Sequence, residues 1–357
     1  MGLNKPLLNA LSDAQRGPKN LITDVAGITV GHKTLINDRL NTGVTIIKPC
    51  QDNIFREKMP AAVQVINGFG KSTGLVQVEE LGTIETPLVL TNTLSVGTAY
   101  TALVKRMLKE NPEIGTTTGS VNPIIMECND STINHIRDLG VTEDDVNAAF
   151  TAAATTFEEG PVGSGTGMCC YDLKGGIGSA SRQIEIDGKT FTMGALVMSN
   201  FGFGEDLNIY GEHIGKKIAQ MKKDKEKGSI ITIIATDIPF NSRQLKRIAR
   251  RSSVGITRSG SFTGNGSGEI TLAFSTANRV SHFPENELSS IQAITDDKID
   301  RYFRVTVDIV NEAILSSLAH GKTFINCDGK PVYGLPDALN ELGDDPDAIK
   351  LKEQLGL

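Results

Sequence analysis

Cysteine and histidine are few in this chain and badly placed for metal or redox chemistry. The five cysteines (Cys50, Cys128, Cys169, Cys170 and Cys327) form no C-x-x-C, and the five histidines form no pair at zinc spacing. Neither a metal cluster nor a disulfide framework is therefore written in the sequence, and the expectation is reduced, buried thiols with no metal and no cofactor. Positive charge is not in excess: 36 Lys and Arg stand against 42 Asp and Glu, a formal charge of -6. A polyanion is thus a poor partner, which argues against nucleic acid and against an anionic membrane surface. Long apolar runs are also missing, so no membrane span is expected. Residues 1–20 carry Asn, Asp, Gln, Arg and Pro where a secretory signal needs an unbroken apolar stretch, and a cytoplasmic protein is expected. Met1-Gly2 does not read as a myristoylation signal, because Pro6 occupies the Ser/Thr position of that motif.

With 39% hydrophobic residues in 357, the chain has ample material for a buried core. Short β-branched runs at residues 28–31, 44–47, 62–66, 87–90, 123–126, 194–198, 229–235 and 270–274 read as buried strands. Helical patterns fill residues 95–109, 143–157, 242–251 and 297–320, the second opened by Thr142 with Asp145 three residues on, a capping signature. Residues 175–186 and 191–200 look like two antiparallel strands joined at Asp187-Gly188, so strands and helices do not alternate strictly. A single domain spanning residues 1–357, built as a mixed, layered α/β sandwich, is the expectation. The six lysines between Lys216 and Gly228 need no ligand and read as a solvated loop or helix face.

Two glycine-rich segments invite a binding-loop reading. Residues 68–74, Gly-Phe-Gly-Lys-Ser-Thr-Gly, resemble a phosphate loop, but Val65 stands where a Walker loop needs glycine and Thr73 where a dinucleotide fingerprint needs it. Residues 163–167, Gly-Ser-Gly-Thr-Gly, read as a tight turn leading into a strand, and no serine has the setting of a hydrolase nucleophile elbow.

The segment that carries chemistry is Gly264-Asn265-Gly266-Ser267-Gly268-Glu269, where a turn of small residues runs into an apolar strand. A hydroxyl at such a junction sits close to the carbonyl of the preceding residue, and a glycine at 266 removes a side chain from that approach. Attack of the Ser267 hydroxyl on the Gly266 carbonyl would turn the amide into an ester, and water would complete a cut. The new α-amine, with an ordinary pKa of ~7.7 to 8.0, is roughly a tenth to a sixth neutral at pH 7 and is able to serve its own hydroxyl as base. No histidine is required. The same four residues also make an ordinary hairpin turn, and the pattern alone does not choose between the two.

The ordered matches along the chain do. Residues 22–32 (Ile-Thr-Asp-Val-Ala-Gly-Ile-Thr-Val-Gly-His), Thr42-Gly43-Val44-Thr45, Thr91-Asn92-Thr93-Leu94-Ser95-Val96-Gly97, Glu127-Cys128-Asn129-Asp130, residues 163–168, Ala235-Thr236-Asp237 and Asn265-Gly266-Ser267-Gly268-Glu269 with Ala273-Phe274-Ser275-Thr276 run nearly end to end. In these the sequence resembles the beta-aminopeptidases and L-aminopeptidase/D-esterase-amidases, serine hydrolases that mature by self-cleavage. The resemblance implies a four-layer αββα sandwich similar to the N-terminal-nucleophile hydrolases. It implies a cut between Gly266 and Ser267, giving an α chain of residues 1–266 and a β chain of residues 267–357, assembled as a homo-oligomer of αβ units. Ser267 would be the nucleophile, removing N-terminal residues from small peptides, amides or esters.

The same resemblance makes Asn200, in Asn200-Phe201-Gly202, a donor to the oxyanion; an asparagine capping the end of a strand is the plainer reading. It makes Glu127 the acid that pairs with the substrate's free ammonium, and puts Asn129 in the same pocket. It makes Glu312 an orienting group for the nucleophile, although Val310 stands where the family pattern has a hydroxyl, and an exposed helix glutamate is the alternative. Two other readings of the fold stand beside this one. One is an acyltransferase of the ornithine acetyltransferase type, which uses a threonine nucleophile; the other is a catalytically inactive binding protein.

Overall fold

A computed structural model of the chain describes residues 3, 5–218, 228–326 and 328–357. Most of the lysine-rich stretch expected to be a solvated face therefore lies outside the described residues, as do Met1, Gly2 and Cys327. In chain order the main elements are β1 (Thr29–Ile36), β2 (Asn41–Lys48), β3 (Glu57–Gly68), β4 (Leu88–Asn92), α1 (Val96–Glu110), β5 (Ile124–Cys128), α2 (Glu143–Thr151), β6 (Gly176–Ile186), β7 (Lys189–Asn200), β8 (Ser229–Thr236), α3 (Ser242–Thr257), β9 (Gly268–Ser275) and α4 (Asp300–Ala319).

Two sheets result. The smaller has the order β1-β2-β4-β5, antiparallel except for the parallel pair β4/β5. The larger runs from a short strand at Gln15–Arg16 through β6, β7, β8, β9 and β3 to Val280–Ser281, with β8 and β9 parallel and Thr83–Ile84 added on β3. Their strands are buried on both faces, which is why they read as continuous apolar runs instead of alternating ones. On β8, Ile231, Ile233 and Ala235 face the smaller sheet's Leu88, Leu90, Ile124 and Met126, while Ile230 and Ile234 face α3 and α4. On the far side, Val44, Ile46, Val89 and Ile125 of the smaller sheet pack against α1 and α2. The order is helix, sheet, sheet, helix: the four-layer αββα sandwich.

The β6/β7 hairpin turns at Asp187 and Gly188, both left-handed (φ 49° and 76°), the paired geometry that a two-residue turn of this twist requires. Thr142 and Asp145 form the expected reciprocal cap on α2. That helix stops at Thr151 and not at residue 157, because Ala154 leaves it to exchange two 3.0 Å backbone hydrogen bonds with Val30 at the edge of β1. Conversely α3 runs past residue 251 to Thr257 through Gly255, where a Cβ would come within 2.8 Å of the Val310 Cβ on α4, so glycine lets the two helices pack. No helix among the described residues is long and apolar enough to cross a membrane.

Candidate active site

Four strand ends meet in one row. Asn200 at the end of β7 is opposite Ser229 at the start of β8, Ser229 is opposite Gly268 at the start of β9, and Gly268 is opposite Gly68 at the end of β3. With neighbouring strands ~4.8 Å apart, the backbone of Asn200 lies about 10 Å from that of Gly268. The smaller sheet reaches the same end through β5, whose Cys128 Sγ lies 3.6 Å from the Met198 carbonyl and 3.4 Å from that of Ser229. Glu127 and Asn129 flank that cysteine and so stand at the same end of the sandwich.

Ser267 immediately precedes β9. Its N–H donates to the Gly264 carbonyl at 3.0 Å, closing a turn through Asn265 and Gly266. The side chain is fully buried, and its Oγ has no hydrogen-bonding partner in the protein. A buried hydroxyl left unpaired costs about 1–3 kcal/mol, and such an orphan calls for a functional explanation. Four residues earlier Thr263 has φ 55°, a left-handed conformation that a β-branched residue rarely adopts and that stores of order 1–3 kcal/mol. The turn before Ser267 is thus both strained and closed over an unpaired hydroxyl.

The two glycines flanking Ser267 have different surroundings. A Cβ on Gly266 would meet nothing within 4 Å outside its two chain neighbours, so no distant part of the fold requires glycine there, and the residue is exposed. Gly268 is the sterically required one, since a Cβ would sit 2.7 Å from the Phe69 carbonyl oxygen. That contact brings the loop after β3 against the start of β9.

This loop is the segment that resembled a phosphate cradle. Its Lys71 N–H points at a carboxylate, donating to Glu127 Oε1 at 2.7 Å, while the Thr93 hydroxyl donates to Glu127 Oε2. Glu127 is 3% exposed and both of these partners are neutral, so its charge is held by dipoles alone and stands ready for a cation. A carboxylate has about four acceptor positions, of which two are used here.

Asn200 is also buried and its amide is fixed at both ends: Oδ1 accepts from the Cys169 N–H at 2.8 Å, and Nδ2 donates to the Asn129 carbonyl at 2.9 Å. Asn129 thereby joins the site through its backbone, while its exposed side chain accepts from the Ser131 N–H at 2.9 Å.

Expected beside the nucleophile, Glu312 is instead held in a triad on the outer face of the larger sheet. Arg16 binds Oε1 and Arg182 binds Oε2, and Asn20 donates to Oε1 at 2.8 Å. Its side chain is fully buried, which removes the exposed-glutamate alternative, but Ser267 is not among its partners. Two guanidinium groups use both carboxylate oxygens, and Val310 supplies no hydroxyl beside them.

Sequence reading missed Asn67, Lys71 and Thr93. Asn67, at the end of β3, donates its side-chain amide to the carbonyls of Gly264 (3.1 Å), Asn265 (3.4 Å) and Ser267. The one signal was an asparagine closing the apolar run at residues 62–66. Among the described residues no histidine hydrogen-bonds to the side chain of Ser267, Glu127 or Asn200. His32, within one of the family-like segments, is pulled down to about 4 by burial and hydrogen-bonds Thr45 Oγ1 at 2.9 Å.

Comparison with known proteins fits this geometry. The model of peptidase family S58 matches residues 20–332. The chain belongs to peptidase family S58. It is 35% identical over 345 residues to beta-peptidyl aminopeptidase BapA of Sphingosinicella xenopeptidilytica, covering 90% of this chain and 85% of that protein. Among solved structures it is similar to the PH0078 protein from Pyrococcus horikoshii OT3, at 48% identity and TM-score 0.89 over 94% of this chain and 96% of that one. It is also similar to the L-aminopeptidase D-Ala-esterase/amidase from Ochrobactrum anthropi, at 34% identity and TM-score 0.85 over 94% and 98% of the two chains. That structure is described as a prototype for the serine aminopeptidases and a new variant among the Ntn hydrolase fold. This S58 peptidase is accordingly a hydrolase of the serine aminopeptidase and amidase type.

Proposed function

We propose that the chain cuts itself between Gly266 and Ser267, and that Ser267, as the first residue of the β chain 267–357, then removes N-terminal residues from small peptides, amides or esters. In the first step Ser267 Oγ bonds to the Gly266 carbonyl carbon, the C–N bond breaks, and the proton passes to the departing amine. Water then cleaves the ester, leaving a carboxylate on Gly266 and restoring the hydroxyl. In the second role the freed α-amine takes the hydroxyl proton as Oγ attacks the substrate carbonyl; the substrate's C–N or C–O bond then breaks, its amine or alcohol leaves with that proton, and water hydrolyses the resulting acyl-enzyme to release the N-terminal residue and restore the hydroxyl.

One observation carries this reading: a fully buried serine hydroxyl with no partner in the protein, placed directly after an exposed glycine in a closed turn. In the uncut chain no substrate reaches that hydroxyl, and release of residues 264–266 is what would expose it. Within the reading Glu127 receives the substrate's ammonium, which restricts the enzyme to N-termini, and the Asn200 amide donates to the oxyanion at the position set by the strand row. Asn129 supplies the carbonyl that orients Asn200. Glu312 enters as the anchor of the N-terminal segment through Arg16 and not as a relay. A homo-oligomer of αβ units acting in the cytoplasm completes the proposal, and light scattering on the purified protein measures the assembly.

The test is a Ser267→Ala variant beside the wild type. Denaturing electrophoresis should show two fragments for the wild type and one uncut chain for the variant, and aminoacyl p-nitroanilides should be hydrolysed by the wild type only. Fragments and hydrolysis that both survive Ser267→Ala would refute the assignment.

A further inference from the structure

We propose that the Asn67 side-chain amide positions the Gly266–Ser267 junction, holding the turn closed before the cut and holding the Ser267 residue in place after it. The inference rests on the reading of Ser267 as a self-cleaving nucleophile and adds to it a residue more than a hundred positions away from any of the junction's sequence signals.

Asn67 is opposite Glu269, and the pairing of β3 with β9 slips by one residue between Glu269 and Ile270, leaving Ile66 as a bulge. Bulges re-aim the side chains beside them and recur next to active sites. Here the one beside it is Asn67, whose Nδ2 has two hydrogens and three carbonyl acceptors. Two of these, Gly264 and Asn265, lie upstream of the junction and one, Ser267, lies downstream. The Gly266 carbonyl, the one to be attacked, is not engaged. A single amide thus grips both sides of the bond to be cut and leaves its carbonyl available, and such restraint of a turn lowers the entropy lost in bringing a hydroxyl to the neighbouring carbonyl.

Cutting divides these contacts. The bonds to Gly264 and Asn265 belong to the α-chain tail and leave with it; the bond to Ser267 remains, now joining the two chains. A new chain terminus is poorly ordered unless something ties it down. Asn67 ties the Ser267 carbonyl, so that the amine and hydroxyl of the same residue are left to face the substrate. The acceptors are all backbone carbonyls, so substitution at residues 264–267 leaves this grip largely intact, and only Asn67 itself tests it.

The experiment follows maturation of Asn67→Ala and Asn67→Asp beside the wild type, as full-length chains, by intact mass against time. Asn67 is half-buried at a strand end, and both variants are checked for unchanged thermal melting. Both should mature about tenfold more slowly or worse at pH 7.5, the effect of one lost hydrogen bond in the transition state. Asp keeps the shape of Asn but turns an oxygen toward three carbonyls, so it should do no better than Ala. Its deficit relative to the wild type at the same pH should shrink as the pH falls toward ~4, where the carboxyl regains a hydrogen to donate. In the fraction that matures, kcat should fall while KM stays within about twofold, as for a lost transition-state alignment. Wild-type maturation by Asn67→Asp at neutral pH would show that shape alone suffices, and wild-type maturation by Asn67→Ala that no grip is needed; each overturns the proposal for Asn67 alone. A wild-type chain that never yields a fragment starting at Ser267 removes the underlying reading as well.

Discussion

Replacing Glu127 by Gln separates charge recognition from everything else at the site. The carboxylate is 3% exposed and takes hydrogen bonds from the Lys71 N–H and the Thr93 hydroxyl, so the substitution keeps the volume and one acceptor. Gln Oε1 still accepts from Lys71, and the Thr93 hydroxyl is free to rotate and accept from Gln Nε2, so the fold should survive. What is lost is the negative charge proposed to meet the substrate's ammonium at a buried position. Truncating one partner of a buried charge pair costs about 2–5 kcal/mol, which corresponds to roughly 30-fold to several-thousand-fold in kcat/KM. The assay compares an aminoacyl p-nitroanilide having a free amine with its N-acetylated counterpart. The wild type should prefer the free amine strongly, and Glu127→Gln should lose that preference by about the factor above. Above pH ~8, where the substrate amine loses its proton, wild-type kcat/KM should decline for want of the ammonium, and the variant should not show this added loss. Self-cleavage involves no free amine, so the variant should mature at the wild-type rate. An unchanged preference for the free amine would refute the role given to Glu127.

Asn200→Ala should lower kcat about 100- to 1000-fold with little change in KM, the usual loss of ~2.7–4 kcal/mol for one oxyanion donor, as read by steady-state kinetics. His32 titrates at about 4 in the fold against 6.5 when unfolded, so the unfolded chain binds the proton first and acidification from pH 6.5 to 4 works against the fold by about 3 kcal/mol. Asp130, pushed up to about 6 by burial, binds its proton more tightly in the fold and gains stability as pH falls from 6 to 3.8. The two opposing effects nearly cancel, and His32→Gln should therefore raise the urea midpoint at pH 4.5 relative to pH 7 when the wild type changes little. Lys174, fully buried, donates to the carbonyls of Gly165, Met168 and Gly175 at 3.1, 2.6 and 3.0 Å. Lys174→Met removes all three bonds; the Gly165 and Met168 carbonyls keep the N–H groups of Met168 (3.2 Å) and Gly175 (2.9 Å), so the unpaired group is the Gly175 carbonyl, at about 1–3 kcal/mol, and the melting temperature should fall by a few degrees.

The fold was largely legible because its strands are buried on both faces and so announce themselves as apolar runs: residues 229–235 and 270–274 lie within β8 and β9. Helix ends were less so. Nothing local to residues 152–157 signals that Ala154 pairs with Val30, more than a hundred residues away, nor that Gly255 is there to admit Val310. The short helices at Leu335–Glu341 and Pro346–Leu355 were not read, although Asp345 caps the second through the N–H groups of Asp347 and Ala348. At the site, Ser267 lies in a legible turn, and Glu127 closes a legible strand. The partners that give these residues meaning are contributed by distant segments. Asn67 reaches the junction from β3, and Lys71 and Thr93 reach Glu127 from loops before and after β4. Glu312 shows the reverse case, where a helix position suited to an orienting role is occupied by Arg16 and Arg182 from elements that no spacing rule connects to it.

The most direct measurement is N-terminal sequencing, with intact mass, of the enzyme fraction that hydrolyses an aminoacyl p-nitroanilide. A polypeptide beginning Ser-Gly-Glu-Ile-Thr, in amount equal to a partner that ends at Gly266, is the predicted result. Full activity in a preparation containing only the uncut 357-residue chain would contradict it, since Ser267 would then be working without a free amine.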